Sequence, residues 1–276
     1  MPEQPKERFR ETAFDALILA GRRGDADELA EQAGATHRAL IELDGAPMLE
    51  RVVATLRAVP AIGRIVVSID RPELARREPG LAALEAAGAV GLLEATRSPS
   101  RSVLDALDRF HARPLLLTTA DHPLLTPEMV THFLDRVRRS GADVAVGLVS
   151  ERVVRERFPE SKRTYLAFRD GGYSGANLFA FQGPDSRRAA EFWTRAERLR
   201  KRPWRLAASF GLWSLALFLG RRLTLADAMR RASRTIGARV EAIPLPFARA
   251  AVDVDRMGDL ILARRLLAAD RSPAHV

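Results

Sequence analysis

The sequence predicts an α/β protein on a doubly wound, mostly parallel sheet, and three observations carry that prediction. As far as Ser150, aliphatic and β-branched runs alternate with stretches of helical periodicity. Two of the runs, Leu17-Ile18-Leu19-Ala20 and Leu115-Leu116-Leu117-Thr118-Thr119-Ala120, stop abruptly in Gly21-Arg22-Arg23-Gly24 and in Asp121-His122-Pro123. Strands of a parallel sheet deliver their last residues to a ligand crevice in this way. A chain of 276 residues is also long enough to bury one large core. One domain over 1–276 is therefore expected, with a helical insertion at about 184–234.

The elements follow in order. Phe14 to Ala20 reads as a buried strand, and Pro47 to Val59 as a helix, with Met48, Leu49, Val52, Val53 and Leu56 at helical spacing. Arg64 to Asp70 is β-branched and bounded by Gly63 and Pro72, so it reads as a strand. Leu81 to Ala87 and Val103 to His111 read as helices, Pro114 to Thr119 and Asp143 to Val149 as strands. Beyond Ser150 the strand candidates are Tyr165 to Phe168 and Ala176 to Phe181, either side of the turn at Asp170-Gly171-Gly172. A helical region from Pro184 to about Arg234, a strand from Arg239 to Pro244 and a helix from Met257 to Ala269 complete the chain.

Composition narrows the function. The excess of 44 Lys and Arg over 35 Asp and Glu gives a net charge of +9, which favours phosphate-bearing partners: nucleotide, nucleic acid or an anionic membrane surface. The sign does not choose among them, and a genome bias toward Arg remains an open alternative. No cysteine occurs, which excludes disulfide and thiolate chemistry and fits a reducing compartment. The N-terminus is charged and proline-rich without a signal peptide's apolar stretch, so a cytoplasmic location is expected.

Several residues suit chemistry, each beside a plainer reading. Gly21 to Gly24 lets backbone N–H groups approach phosphate oxygens while Arg22 or Arg23 adds charge-assisted bonds; a solvated turn is the alternative. Asp121, at the end of a strand, is placed to hold Mg2+ or to cap a turn. In Asp253-Val254-Asp255 an extended backbone puts both carboxylates on one face, where they could present two hard oxygen ligands. Asp259 reads instead as a helix N-terminal residue.

Together these pieces resemble the MobA-like nucleotidyltransferases, the group with a glycosyltransferase-A-like fold that includes molybdenum-cofactor guanylyltransferase and methylerythritol-phosphate cytidylyltransferase. The family opens on Leu-Ala-Gly-Gly-x-Gly, then a basic residue, usually Lys, before Gly-x-Pro-Met/Leu-Leu. Here the pattern is Leu19-Ala20-Gly21-Arg22-Arg23-Gly24, then Arg38, then Gly45-Ala46-Pro47-Met48-Leu49. Asp121 falls at the family's Asp-x-Pro, and Asp253-Val254-Asp255 with Asp259-Leu260 resembles its closing motif. The resemblance implies that Leu19 to Gly24 and Arg38 bind the triphosphate and that Asp121 and Asp253, with Asp255, hold Mg2+. It implies attack by an acceptor phosphate on the α-phosphorus with release of pyrophosphate, so the partners are a nucleoside triphosphate and a phosphorylated small molecule, not nucleic acid. Such chemistry rests on positioning and charge, and the five histidines need no catalytic role. Three departures stand out: Arg22 for the second glycine, Arg38 for Lys, and a long acidic loop with Asp25, Asp27, Glu28 and Glu31.

The segment Ser98 to Leu107 is similar to the base-contacting Arg-x-x-Ser-Val of the cytidylyltransferase branch, a partial match because Arg101 is adjacent to Ser102 and Arg97 lies further back; it favours CTP slightly over GTP, and Ser102 as a helix N-cap is the alternative. Asn177, in Ser174-Gly175-Ala176-Asn177, resembles an acceptor-side Gly-x-Asn strand, or bridges backbone groups. Within the helical region, Arg198 to Arg205 precedes an uncharged run from Leu206 to Gly220, closed by Arg221-Arg222. The run is too short to span a bilayer, but Trp204, Trp213 and the basic flanks suit an interfacial helix on an anionic membrane. A buried helix or a homodimer interface are the other readings of 199–222. Two rival functions remain: a non-catalytic nucleotide-binding scaffold, and a glycosyltransferase using Asp253-Val254-Asp255.

Overall fold

A computed structural model describes residues 13–21, 27–96, 98–110, 113–160, 163–198 and 212–271. Its strands are β1 (Phe14–Leu19), β2 (Glu42–Leu43), β3 (Ala46–Pro47), β4 (Ile62–Ile69), β5 (Gly91–Glu94), β6 (Leu115–Thr119), β7 (Val144–Ser150), β8 (Leu166–Phe168), β9 (Gly171–Phe181) and β10 (Val240–Pro244). All but β2 and β3, which form a small hairpin, lie in one sheet of order β10-β7-β9-β6-β1-β4-β5, with β8 on the side of β9. β1 pairs in parallel with β4 on one side and β6 on the other. The chain thus reverses direction across the sheet at β1, and the crevice outside the carboxyl ends of β1 and β6 is a topological switch point. The antiparallel exception is β9, inserted between β6 and β7.

The helices are α1 (Glu28–Gln32), α2 (Met48–Arg57), α3 (Pro72–Ala75), α4 (Pro79–Ala86), α5 (Pro99–Arg109), α6 (Pro127–Ser140), α7 (Glu151–Arg157), α8 (Ser186–Arg198), α9 (Leu212–Leu219), α10 (Leu225–Ile236) and α11 (Met257–Arg271). The expected helix from Val103 begins earlier, at Pro99, because the Ser98 side chain accepts from the Arg101 N–H and Pro99 suits the first turn. Ser102 is therefore inside the helix and is not its cap. Helix α6, which the sequence reading passes over, buries Met129, Val130, Phe133, Leu134 and Val137 between a Thr126 cap and a left-handed Gly141. Strand β5 and helix α7 were likewise not expected.

Among the described residues the helical region comprises α8, α9 and α10. Leu217 and Phe218 of α9 pack against a cluster of Leu148, Phe168, Leu223 and Leu225, with the Phe218 ring 5.6 Å from that of Phe168. Leu219 is 71% exposed. Part of the apolar run thus joins the core; Trp204 and residues 199–211 lie outside the described residues. Among the described residues no helix is long and apolar enough to cross a membrane.

A separate apolar cluster carries the C-terminal segment to the switch point. Val252, Val254, Leu260, Ala263, Leu266 and Leu267 pack with Leu29, Ile41, Leu43, Met48 and Leu124, and Val254 is fully buried. Val254→Ala removes two methyl groups from that cluster and is expected to lower unfolding stability by about 2 kcal/mol. Urea unfolding with an unchanged midpoint would show that the segment is not docked there.

Candidate active site

The three parallel strand ends are laced together just above the crevice. The Ala20 N–H donates to Ser68 O at 2.8 Å and the Ala120 N–H to Leu19 O at 2.9 Å. Leu19 and Ala20 thereby sit beside Thr119 and Ala120, and Gly21 follows at the rim. A side chain at Gly21 would bring its Cβ to 3.2 Å from that of Ala95, tight enough that the neighbouring strand end must shift. Arg22, Arg23 and Gly24 lie outside the described residues, as does Arg97.

Asp121 forms the floor. Thr119 Oγ1 donates to its Oδ1 at 2.5 Å, and its carbonyl accepts from the Val254 N–H at 2.8 Å. Burial pushes the Asp121 carboxyl up to about 6; the Thr119 bond and Arg38 oppose the shift, whereas Asp255 and Asp253 add to it. With Val254 in the core, its neighbours Asp253 and Asp255 project into the cleft, as the extended segment predicts.

Each of those two carboxylates is held by an arginine. Arg38 Nη1 donates to Asp255 Oδ1 at 2.9 Å, while its Nε and Nη2 reach the buried carboxylate of Asp27 at 3.2 to 3.3 Å. Burial works against the Arg38 charge, and the bond to Asp27 with the charges of Asp27, Asp255 and Asp121 more than restores it. Arg38 and Asp255 also line a cavity of ≈370 Å3 with Asp27, Glu28, Leu29 and Gln32. On the other wall, Arg163 Nη1 donates to Asp253 Oδ1 at 2.7 Å and its Nε to Ser174 Oγ at 3.3 Å. Asn177 Nδ2 reaches Asp253 Oδ2 at 3.4 Å. Asn177 lies where β7 and β9 lose register, at φ +49°, a left-handed conformation that asparagine tolerates.

Ser102 is buried and spent on structure. Its hydroxyl accepts from Ser68 Oγ at 3.1 Å and from the Thr96 N–H at 3.3 Å, and shares a 3.0 Å bond with Thr96 Oγ1. Asp259 Oδ2 accepts from the backbone of Asp255 and Arg256, the helix-start role expected of it.

Among the described residues no three His, Asp or Glu side chains converge as a ready cation site. The donor chemistry nevertheless suits a hard dication. Mg2+ commonly takes one or two carboxylates and keeps waters, and the charge of Asp121 is disfavoured by burial and by two neighbouring carboxylates, a penalty that a cation relieves.

A family model described as the MobA-like NTP transferase domain matches residues 16–239. The chain belongs to the MobA-like NTP transferase family. Like that family it is a nucleotidyltransferase. Molybdenum cofactor guanylyltransferase of Shewanella sediminis is 28% identical over 58% of this chain and 76% of its own length. A hypothetical transferase from Thermus thermophilus is 31% identical, with a TM-score of 0.74 over 90% of this chain and all of that one. A 4-diphosphocytidyl-2C-methyl-D-erythritol synthase from Anaerococcus prevotii shares the fold at 13% identity and TM-score 0.58, over 95% and 99%. In this MobA-like transferase the sheet switch point, Asp121 and the closing aspartates occupy one cleft.

The sequence reading missed five residues in and around that cleft. Asp27 had appeared only as one acid in a loop. Asp70 directly follows β4, and Asp121 lies one residue further beyond the end of β6; an aspartate just past the carboxyl end of a strand was a readable signal. His37 is buried; its Nδ1 accepts from the Ala39 N–H at 3.1 Å, which leaves Nε2 to donate to Asp70 at 2.8 Å. His122 is buried under the turn at Ala248–Ala251 with neither ring nitrogen in a well-formed hydrogen bond, and burial lowers its pKa to about 4, so it is neutral. Arg163 follows Glu160-Ser161-Lys162, where nothing in the pattern of residues distinguishes it.

The raised Asp121 pKa has a stability consequence with a definite sign. The folded state holds this proton more tightly than the unfolded chain, so stability is complete below about pH 4 and declines as pH rises through about 6. The full effect is at most about 3 kcal/mol. Asp121→Asn is therefore expected to melt higher than the wild type in EDTA at pH 8, with the difference vanishing near pH 4. Equal melting temperatures at pH 8 would show that the carboxyl is not strained.

Proposed function

We propose that the protein transfers a nucleoside monophosphate from an NTP to a phosphorylated small molecule, with Mg2+, releasing pyrophosphate. The observation that carries this reading is the meeting of Asp121, Asp253, Asp255 and Arg38 at the carboxyl edge of β1 and β6, beside Gly21. Bound there, Mg2+ supplies charge neutralisation and orientation of the triphosphate oxygens. Asp121 is the residue best placed to hold it, with Asp253 or Asp255 as a second ligand. Arg38 offsets negative charge on the triphosphate, and the backbone at Gly21 admits it closely. Asn177 offers an amide on the acceptor side. No residue is required to activate a nucleophile, since an acceptor phosphate already carries its charge.

The sequence relatives favour GTP over CTP as the donor. The partial match that favours CTP depends on Ser102, with Arg101 beside it and Arg97 further back; the Ser102 hydroxyl is committed inside the fold, and the Shewanella sediminis relative at 28% identity is a guanylyltransferase. A thermal-shift screen of four NTPs with Mg2+ is expected to give its largest shift with GTP. Pyrophosphate release across a panel of phosphorylated metabolites then identifies the acceptor. Asp121→Ala is expected to lose at least a thousandfold in turnover while remaining folded, and Arg38→Ala to raise the KM for NTP at least tenfold. An Asp121→Ala enzyme with a tenth or more of wild-type turnover would refute the assignment.

A further inference from the structure

Arg163 has no part in the proposed triphosphate binding, yet two hydrogen bonds fix its side chain in the cleft. Its side chain is 18% exposed, fixed at Nε by a hydroxyl on β9 and at Nη1 by Asp253. Among the described residues its Nη2 has no hydrogen-bond partner, so one edge of the guanidinium fork remains available. Asn177 shares Asp253 with it from the same wall. A planar guanidinium with a free edge beside an amide is a receptor for a phosphate group.

The two arginine pairs differ in what releasing them would do. Arg38 keeps Asp27 if Asp255 leaves, so its charge stays compensated. Among the described residues Arg163 has one carboxylate partner, Asp253; once Asp253 turns away, a mostly buried cation is left beside the hydroxyl of Ser174. An uncompensated buried charge is costly and draws an anion strongly. While Asp253 holds Arg163, conversely, an incoming phosphate meets a carboxylate of its own sign.

We propose that Arg163 is the receptor for the acceptor's phosphate and that Asp253 masks it, releasing it on becoming a cation ligand, so that cation and nucleotide bind before the acceptor. This rests on the proposed transfer to a phosphorylated acceptor and extends it to the residue that holds the acceptor's phosphate and to the binding order. Arg163 grips the oxygens that do not attack, which leaves the third free to face the α-phosphorus.

Inorganic phosphate serves as the probe, with binding measured calorimetrically. In EDTA, Asp253→Ala is expected to bind phosphate at least tenfold more tightly than the wild type, and Asp253→Ala with Arg163→Gln to return to the wild-type level. With Mg2+ and the non-transferable guanosine 5′-(α,β-methylene)triphosphate, the wild type is expected to gain tenfold or more over its affinity in EDTA. Arg163→Gln should show no such gain while binding the analogue normally, and Arg163→Lys, which keeps the charge, should recover part of it. An equal gain in Arg163→Gln, or no gain in Asp253→Ala, would overturn the proposal. Failure of the analogue to bind would remove the assignment of GTP as donor instead, and the EDTA comparison, which needs neither cation nor nucleotide, would still decide the role of Arg163.

Discussion

The hydrogen bond from the Val254 N–H to the Asp121 carbonyl is the contact on which the cleft depends. It joins the end of a central strand to a segment from the far end of the chain, and the apolar cluster around Val254, Leu260 and Leu43 holds that segment in place. Because side chains alternate along an extended backbone, fixing Val254 inward fixes Asp253 and Asp255 outward. The packing of one valine thus places two carboxylates beside a third that is already short of solvent. That is an unfavourable arrangement for the protein alone, and a sensible one for a protein that binds a dication.

The same electrostatics accounts for two departures from the family pattern noted in the sequence. Arginine replaces the usual lysine at position 38, and the preceding loop is acidic. In the structure these are one feature, because Asp27 takes the Nε and Nη2 edge of Arg38 while Nη1 remains for Asp255. An ammonium group is a point charge and could not be shared along two edges in this way. Arg38 is consequently anchored from behind and can exchange its front partner for a phosphate without losing its position.

Much of this was legible in the sequence because it is local. Buried strands that end in Gly21 and Asp121 and the alternation around Val254 each declare themselves within a few residues, and the order of motifs along the chain specified the chemistry. The pairing of Asp253 with Arg163 and of His37 with Asp70 could not be read, since each joins distant segments and depends on the register of β9 or on the end of β4. The alternative reading of Ser102 as a cap fails for a subtler reason. Ser98 offers the same hydroxyl just before Pro99, and a proline at the first helical position decides where the helix begins. Helix α6, by contrast, carried its cap, its periodicity and its terminal Gly141 in plain view.

The central claim is that Asp121 is the cation-holding carboxylate of this cleft. Electron paramagnetic resonance of Mn2+, titrated into the protein in the presence of guanosine 5′-(α,β-methylene)triphosphate, measures it directly. The expected result is one tightly bound Mn2+ per wild-type chain, lost in Asp121→Asn although that substitution preserves the shape of the side chain and its bond from Thr119. Mn2+ bound by Asp121→Asn with the wild-type affinity would contradict the claim.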